Sequence, residues 1–339
     1  MNEQVLGTAR DLLEGGHWTA GEARAFFGEV VNGQMDPALL AAVLVAIRDR
    51  EPDRQTLGGA AAALLESATV FPRPDTAFVD IVGTGGDGKN TLNLSTIAAL
   101  TAAACGCPVV KHGNRAITGN SGSFDLLESL HVPFDISATT SRTCLDDHGI
   151  CFLFAPNYHP GLRHAGAVRR LLGVRTVFNL LGPLVNPARP PGMLLGVADA
   201  AWLEPMAGAL ADLGCQRAFV VHGGGVDEVA VHAPTEVVEL QEGTITRDRL
   251  QPEDFGVSRC ELEQLVCHDP VASRKRSAAV LEGRGSAAEN AAVCVNVALL
   301  MKLFGGDDLR DHCRQASEAL KSGQAGRLVR QLATVVDGS

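Results

Sequence analysis

The sequence predicts an α/β protein: a small N-terminal helical domain, then a large α/β domain with a mostly parallel central sheet and helices on both faces. Residues 1 to about 70 carry apolar residues at three- to four-residue spacing, which is typical of amphipathic helices. Beyond Pro72 and Pro74, short apolar runs alternate with helical segments, an order that favours parallel strands covered by helices. A chain of 339 residues, 46% of them hydrophobic, can bury a core of this size.

Four helices are predicted in the first 70 residues. Thr19 and Asp36 are predicted N-caps, because their side-chain oxygens can accept hydrogen bonds from the free N–H groups of the first helical turn. Two Ala-rich stretches, Leu39 to Ile47 and Ala60 to Leu65, suit either close helix packing or a subunit interface. The four segments are VLGTARDLLEG, TAGEARAFFGEVVNG, DPALLAAVLVAIRDR and DRQTLGGAAAALLESATVF.

The remaining chain is predicted to form strands first and then helices again. Alternating residues in TEVVEL and TITRDRL, around Glu242 and Gly243, predict an antiparallel hairpin at the edge of the sheet. The segments 285–306 and 307–332 are predicted to be long helices in a solvated outer layer. The predicted strands before the hairpin are FVDIV, PVVKHG, ICFLFAP, MLLGV and AFVVHG.

Two glycine-rich turns stand out in the stretch from Asp80 to Leu130. Each turn follows a predicted strand and precedes a predicted helix, so that free backbone N–H groups and a helix N-terminus converge on one place. Ligands of parallel sheets bind at the carboxyl ends of the strands, where both turns are expected to lie. We therefore predict two phosphate-binding turns, GTGGDG at 83–88 and the turn that contains KHGNR at 111–115.

Polar side chains of several kinds accompany these turns. A carboxylate repels phosphate, so Asp87 is better explained by a ribose hydroxyl or a nearby cation. Ser95 lies at a predicted helix start, where it is either an N-cap or a metal ligand. The other candidates are Thr91, Asn93, Thr96, Lys111, Asn114 and Arg115.

Composition and missing motifs exclude several classes of protein. A formal net charge of -10 argues against binding nucleic acid or anionic membranes by bulk attraction. No secretory signal is visible, and the run Ala38 to Ile47 is too short to span a bilayer, so we expect a cytoplasmic protein. The nine cysteines include no C-x-x-C pair and are expected to be reduced. The P-loop and dinucleotide-binding patterns are both absent.

The motifs GTGGDG, NLST and KHGNR together resemble the anthranilate phosphoribosyltransferase family, in order and in spacing. The stretch 155–191 and the pair Asp227 and Glu228 resemble two further hallmarks of that family. The resemblance implies transfer of a phosphoribosyl group from 5-phosphoribosyl 1-diphosphate (PRPP) to the amine of anthranilate, in tryptophan biosynthesis. It also implies catalysis by positioning and charge stabilisation, without a general base.

The resemblance carries site residues over by position. The acceptor anthranilate would meet Gly83, Asn114 and Arg169. Two Mg²⁺ ions are expected, one touched by Ser95 and one held by Asp227 and Glu228. PRPP would be bound by Gly83, Gly86, Asp87, Thr91, Asn93, Leu94, Ser95, Thr96, Lys111, His112, Gly113, Asn114, Arg115, Ala116, Ile117, Thr118, Gly119 and Ser123.

The resemblance also implies an architecture and an assembly. The helical domain of residues 1–70 would be completed by helices from about 163–180. The large domain would comprise 72–162 and 185–339, with the site in the cleft between the two domains. We expect a homodimer through the helical domain, small-molecule substrates, and no nucleic-acid or membrane partner.

Three departures from the family pattern are visible. Thr118 and Gly119 stand where the family usually has two serines, and Ala167 stands where many members have proline. The loop VVHGGGVDE is one residue shorter than usual before its acidic pair. Two alternatives stay open: a pyrimidine nucleoside phosphorylase, and a non-catalytic nucleic-acid-binding paralogue of the same fold.

Overall fold

The computed structural model describes residues 2–115 and 122–337 and places a seven-stranded sheet at the centre of that part of the chain. The strand order is β3-β2-β1-β4-β5-β6-β7, in which β1 to β5 are parallel and the last two are antiparallel. The predicted α/β class is confirmed. The strands are β1 Val79–Gly83, β2 Val109–Gly113, β3 Ile150–Phe154, β4 Gly192–Gly196, β5 Arg217–His222, β6 Thr235–Gln241 and β7 Thr244–Leu250.

The predicted hairpin at the edge of the sheet is confirmed. Strands β6 and β7 pair from Thr235 with Leu250 to Gln241 with Thr244. The two residues between them, Glu242 and Gly243, have φ of 48° and 83°, as a type I′ turn requires. The carboxyl ends of the parallel strands are more important for function. Strands β1, β2 and β4 all end in glycine at this edge of the sheet.

Helices cover both faces of the sheet and form a separate bundle at the N-terminus. The caps predicted at Thr19 and Asp36 are confirmed, since both side chains accept hydrogen bonds from the first turn of the following helix. The helices are α1 Glu3–Glu14, α2 Ala20–Val31, α3 Pro37–Asp49, α4 Arg54–Glu66, α5 Leu94–Ala104, α6 Ser123–Ser129, α7 Ala138–His148, α8 Ala155–Tyr158, α9 Arg163–Leu172, α10 Val177–Leu181, α11 Leu203–Asp212, α12 Pro270–Leu281, α13 Ala287–Lys302, α14 Leu309–Lys321 and α15 Gln324–Leu332.

The N-terminal bundle contains two helices from the middle of the chain. Helix α9 packs against α2 and α3, and α10 packs against α3 and α4. The ring of Phe178 on α10 lies edge-on to that of Phe27 on α2, with centroids 5.6 Å apart. Residues 163–181 therefore complete the apolar core of the bundle, although the domain division at 70–72 and 162–185 stays a prediction.

One continuous apolar core joins this bundle to a face of the sheet. Buried residues of α1 to α4 belong to the same cluster as those of α11, β4 and β5. Helix α4 lies directly on α11, where Arg54 Nε donates to Asp212 Oδ2 over 2.7 Å. The opposite face of the sheet is covered by α5 and α13, around a second core.

The prediction of a solvated outer layer for 285–306 is wrong. Helix α13 is buried along most of its length, including Val293, Val295 and Val297, because it packs on α5 and α14. Its middle has no charged residue, and a helix that is apolar on all sides belongs inside a protein. The segment 307–332 forms two helices that meet at Gly323, whose φ is 70°.

Two further findings concern composition. All nine cysteines are free thiols, as predicted. Among the described residues, no helix combines the length and the apolar character needed to cross a membrane.

Candidate active site

The first glycine turn begins where β1 ends and lies against the acidic pair. The backbone N–H of Gly85 donates to Asp227 Oδ2 over 2.7 Å, across 142 residues of sequence. A Cβ at Gly83 would lie 2.1 Å from Asp227 Oδ2, and one at Gly196 would lie 1.6 Å from Asp227 O. Glycine at both strand ends therefore allows the Asp227 segment to approach the sheet. Two of the predicted motifs are in direct contact.

The acidic pair is a cluster of carboxylates with few donors. Burial, followed by the nearby charge of Asp87, raises the pKa of Asp227 to about 6. Burial and repulsion from Asp227 raise the pKa of Glu228 well above its usual range. Glu228 Oε2 is buried and has no hydrogen-bond partner among the described residues. A buried carboxylate oxygen without a hydrogen-bond donor, beside a second carboxylate, fits a divalent cation, which would relieve their repulsion.

Lys111 supplies a buried positive charge beside this cluster. It is 1% exposed, and its Nζ donates to the carbonyl oxygen of Ile81 and, over 3.4 Å, to Ser95 Oγ. Burial lowers the pKa of Lys111, whereas the charges of Asp80 and Glu228 raise it. The ammonium group thus lies in the electric field of two carboxylates: Asp80, which lies beneath the site, and Glu228, which belongs to it.

Lys111, His112 and Gly113 lie within strand β2, not in the loop that follows it. They pair in register with β3, from Lys111 opposite Phe152 to Gly113 opposite Phe154. The predicted strand PVVKHG therefore includes all three residues, and the second turn begins at Asn114. Regular pairing with a buried neighbour strand extends β2 into the motif.

The NLST segment connects the two turns. Helix α5 begins at Leu94 with Asn93 as its N-cap residue, so Ser95 lies inside the first helical turn and does not cap the helix. Asn93 Nδ2 donates to the carbonyl oxygen of Gly122, over 3.4 Å, just before α6. Thr91 is held by a bridge to Val266. Ser95 thereby faces Lys111, and together with Asp227 and Glu228 it lines one small cavity.

The described part of the second turn consists of Asn114 and Arg115, both exposed. Asn114 Oδ1 accepts a hydrogen bond from the Arg115 backbone N–H over 2.8 Å. The Arg115 guanidinium pairs with Glu128 at 2.8 Å and with Asp125 at 3.5 Å, so its charge is directed at α6. Ser123 is the first residue of that helix. The predicted ligands Ala116, Ile117, Thr118 and Gly119 lie outside the described residues.

Arg169 lies on α9 of the bundle, and His112 lies on strand β2 of the sheet. The Arg169 guanidinium carbon is 5.0 Å from the centroid of the Phe178 ring, and burial lowers the pKa of Arg169. Its neighbour Arg170 is exposed. His112 is buried against His159, with ring centroids 5.2 Å apart, and burial lowers its pKa well below the usual value. A neutral His112 suits a wall of the site.

Two residues near the site were not singled out from the sequence. Arg175 Nη2 donates to the carbonyl oxygen of Thr84, over 3.1 Å, in the first turn. Asn296 on α13 holds the backbone of Val229, accepting from its N–H at 3.0 Å and donating to its carbonyl oxygen at 3.1 Å. An amide in an otherwise apolar helix was a usable signal for Asn296. For Arg175, the only signal in the sequence was its position in the 155–191 motif.

The helical bundle and the α/β domain that carries the glycine turn and the acidic pair are those of a glycosyl-transferring enzyme. Residues 9–68 match the family model for the helical bundle domain of a glycosyl transferase family, and residues 75–326 match its α/β domain. Anthranilate phosphoribosyltransferase from Vibrio cholerae is 50% identical over 93% of this chain and 95% of that protein. The enzyme from Yersinia pseudotuberculosis is 52% identical, over 92% and 94%. The chain belongs to the anthranilate phosphoribosyltransferase family.

Solved structures of the same family have the same fold. The Thermus thermophilus enzyme superposes with a TM-score of 0.90 at 37% identity, covering 97% of this chain and 98% of that one. The Saccharomyces cerevisiae enzyme in complex with PRPP and Mg gives a TM-score of 0.89 at 27% identity, with 99% of both chains covered. A complex of the yeast enzyme with 4-fluoroanthranilate gives 0.86 at 27% identity, over 98% and 97%.

Proposed function

We propose that this protein transfers the phosphoribosyl group of PRPP to the amine of anthranilate, giving N-(5-phosphoribosyl)anthranilate and diphosphate in tryptophan biosynthesis. The observation that carries the proposal is the contact between the first glycine turn and the acidic pair, with Gly85 N and Asp227 Oδ2 2.7 Å apart. Such a site offers N–H donors for a diphosphate beside carboxylates for its cation. The complexes of the yeast relative contain PRPP and Mg, and an anthranilate analogue.

The donor would lie across both glycine turns. The turn at 83–88 suits the diphosphate, because it is the one in contact with Asp227. The turn after β2 would wrap the rest of the donor and offer Asn114 to the acceptor. Ser95, Thr91 and Asn93 lie between the two turns in sequence, on a segment whose contacts include Gly122, Val266 and Lys111. The remaining donor residues are those predicted from the family resemblance.

The carboxylate cluster fits magnesium, and two ions are part of this proposal. Asp227 and Glu228 would hold one ion through oxygen ligands, and Ser95 would touch the other. When bound, Mg²⁺ makes diphosphate a better leaving group by withdrawing its negative charge. The one-residue shortening of the loop before Asp227 leaves the acidic pair in contact with the first turn.

The reaction breaks the bond from C1 of the ribose to a diphosphate oxygen and forms a bond from C1 to the anthranilate nitrogen. Positive charge develops on the sugar, so the main requirements are orientation and a stabilised leaving group. Arg169 would pair with the anthranilate carboxylate through its guanidinium. An aromatic amine is already nucleophilic near neutral pH, and its extra proton passes to water or to the released diphosphate after the bond has formed. The reaction therefore requires no general base, and the neutral, buried His112 is not needed as one.

The decisive experiment mixes the protein with Mg²⁺, PRPP and anthranilate. We expect anthranilate fluorescence to fall as diphosphate is released in equal amount. Chelation with EDTA should stop turnover, and added Mg²⁺ should restore it. A folded protein without turnover would count against the proposal. Phosphorolysis of a pyrimidine nucleoside in a parallel reaction would favour the alternative enzyme instead.

A homodimer through the helical bundle is also proposed. Leu13, Val45 and Leu171 are 39%, 38% and 87% exposed, and they lie on α1, α3 and α9. These helices are neighbours, since α3 packs against both of the others. Exposed large apolar side chains on adjacent helices favour a protein partner, and a second copy of the chain is the one we propose. The cytoplasmic location stays a prediction.

A further inference from the structure

Arg175 connects the helical bundle to the first glycine turn. It lies in the short segment between α9 and α10, both of which pack in the bundle. Its side chain reaches the turn that follows β1, where Nη2 donates to the carbonyl oxygen of Thr84 over 3.1 Å. A cation from the bundle is thus placed on the turn that the proposed function assigns to the diphosphate.

The guanidinium occupies the space above Gly86. A Cβ at Gly86 would lie 1.4 Å from Arg175 Nη1 and 2.3 Å from its Cζ, and the φ of Gly86 is 78°. Glycine is favoured here by the positive φ of the backbone, and its lack of a side chain leaves this space to the arginine. The same side chain is close enough to the acidic pair that its charge lowers the pKa of Asp227.

Arg175 has donors to spare, whereas two other cations of the site are already engaged. A guanidinium carries five N–H donors, and Thr84 takes a hydrogen bond from only one nitrogen. In the part of the chain that the structure describes, Arg175 forms no salt bridge within 4.0 Å. By contrast, Arg115 is paired with Glu128, and Lys111 donates to Ile81 and Ser95.

We propose that Arg175 binds the diphosphate of the donor, and that it does so from the helical bundle. The proposal rests on the proposed function, because it needs the diphosphate at the first turn. The diphosphate is favoured over the 5-phosphate of the ribose because the turn under Arg175 is the one in contact with Asp227. A planar guanidinium can bind two phosphate oxygens while it still touches Thr84.

The test compares Arg175→Ala and Arg175→Lys with a matched control, Arg170→Ala, which removes an exposed arginine from neighbouring α9. Calorimetry measures the binding of inorganic diphosphate with Mg²⁺, and separately that of ribose 5-phosphate. For Arg175→Ala we expect diphosphate affinity to fall about tenfold or more, as for loss of a charge-assisted hydrogen bond. Ribose 5-phosphate should bind as in wild type. Arg175→Lys should recover part of the loss, and Arg170→Ala should change neither ligand.

Several outcomes would overturn the proposal. Unchanged diphosphate affinity in Arg175→Ala would remove Arg175 from the site. An equal loss for both ligands, with a lowered melting temperature, would assign it to holding the turn. Diphosphate binding as weak in Arg175→Lys as in Arg175→Ala would show that the cation contributes nothing. Failure of the proposed function is read separately, from wild-type turnover with PRPP and anthranilate.

Discussion

At the scale of single residues, the site contains buried carboxylates that do not stabilise the fold. Asp227 and Glu228 are largely buried close to Asp87: the charge of Asp87 raises the cost of ionising Asp227, and the charge of Asp227 raises that of Glu228. Lys111 opposes only part of this repulsion. Carboxylates arranged in this way destabilise the ligand-free protein and become favourable when a cation binds, so stability and function oppose each other at these positions.

Replacement of Asp227 by Asn tests this opposition. The pKa of Asp227 rises from 3.8 to about 6 in the folded protein, so the folded state binds more protons between these values. Asp227 should therefore contribute a fall in the free energy of unfolding of the wild type as pH rises from about 4 to about 6. Asp227→Asn keeps an acceptor for Gly85 and lacks this fall. Above pH 6 we expect it to be more stable by roughly 1–3 kcal/mol.

Denaturant unfolding at several pH values without metal measures the effect. Asp248→Asn, at an exposed carboxylate on β7, is the matched control and should follow the wild-type curve. Addition of Mg²⁺ and diphosphate should raise the melting temperature of the wild type far more than that of Asp227→Asn. Parallel pH curves for the wild type and Asp227→Asn would contradict the expected titration.

Arg169 gives a second prediction at this scale. Its guanidinium is half-buried over Phe178, whereas Arg170 is exposed, so the structure distinguishes two adjacent arginines that look alike in sequence. Arg169→Ala should raise KM for anthranilate about tenfold or more and change KM for PRPP by less than about twofold, because it removes one charge-assisted pair to the acceptor. Steady-state kinetics beside Arg170→Ala measure both constants. Equal effects on the two substrates would move Arg169 out of the acceptor site.

At the scale of elements, close packing decides what local patterns leave open. The Ala-rich stretch of α4 suits a core or an interface in sequence, and the structure buries Ala60, Ala61 and Leu64 against the rest of the bundle. Helix α13 was misassigned for a related reason: its burial depends partly on α5, which lies far away in the sequence. Caps and hairpin turns could be predicted, because their determinants are local.

Glycine in α4 provides the test of this packing. A Cβ at Gly59 would lie 2.1 Å from the carbonyl oxygen of Ala20 and 2.9 Å from Ala23 Cβ, across the contact between α2 and α4. Gly59→Ala should destabilise the protein by about 2–3 kcal/mol through overpacking. Gly28→Ala, on α2 with nothing within 4 Å of the added atom, should stabilise it by about 0.5–1 kcal/mol. Thermal unfolding of both variants measures these changes in stability. Loss of stability in Gly28→Ala alone would contradict the close packing of α4 on α2 at Gly59.

At the scale of the whole molecule, the contacts that assemble the site join distant parts of the sequence. The motifs locate the two turns and the acidic pair, but only the fold shows that Gly85 donates to Asp227 and that Asn93 donates to Gly122. Arg175 escaped sequence analysis because its function depends on where the bundle places it. Motif recognition therefore finds residues that define a family, and packing finds those that connect its domains.

The proposed homodimer is tested at this scale as well. Leu171→Glu places a charge on the most exposed apolar side chain of α9, and should shift the protein from dimer to monomer because an ionised carboxylate resists burial. Val70→Glu changes a residue that is similarly exposed, at 83%, outside the helices. Light scattering of both variants beside the wild type gives their masses. A wild-type monomer, or dissociation by Val70→Glu alone, would contradict an interface at α9.

The return of the chain to the bundle at α9 and α10 affects how the protein is made and how it can change. During synthesis, α1 to α4 emerge first, but Phe27 meets Phe178 only after more than a hundred further residues. The apolar surfaces of the N-terminal helices are therefore incompletely buried until α9 and α10 have been synthesised. For the same reason, a bundle from a relative cannot be exchanged at a single crossover. Residues 163–181 would have to be exchanged with it.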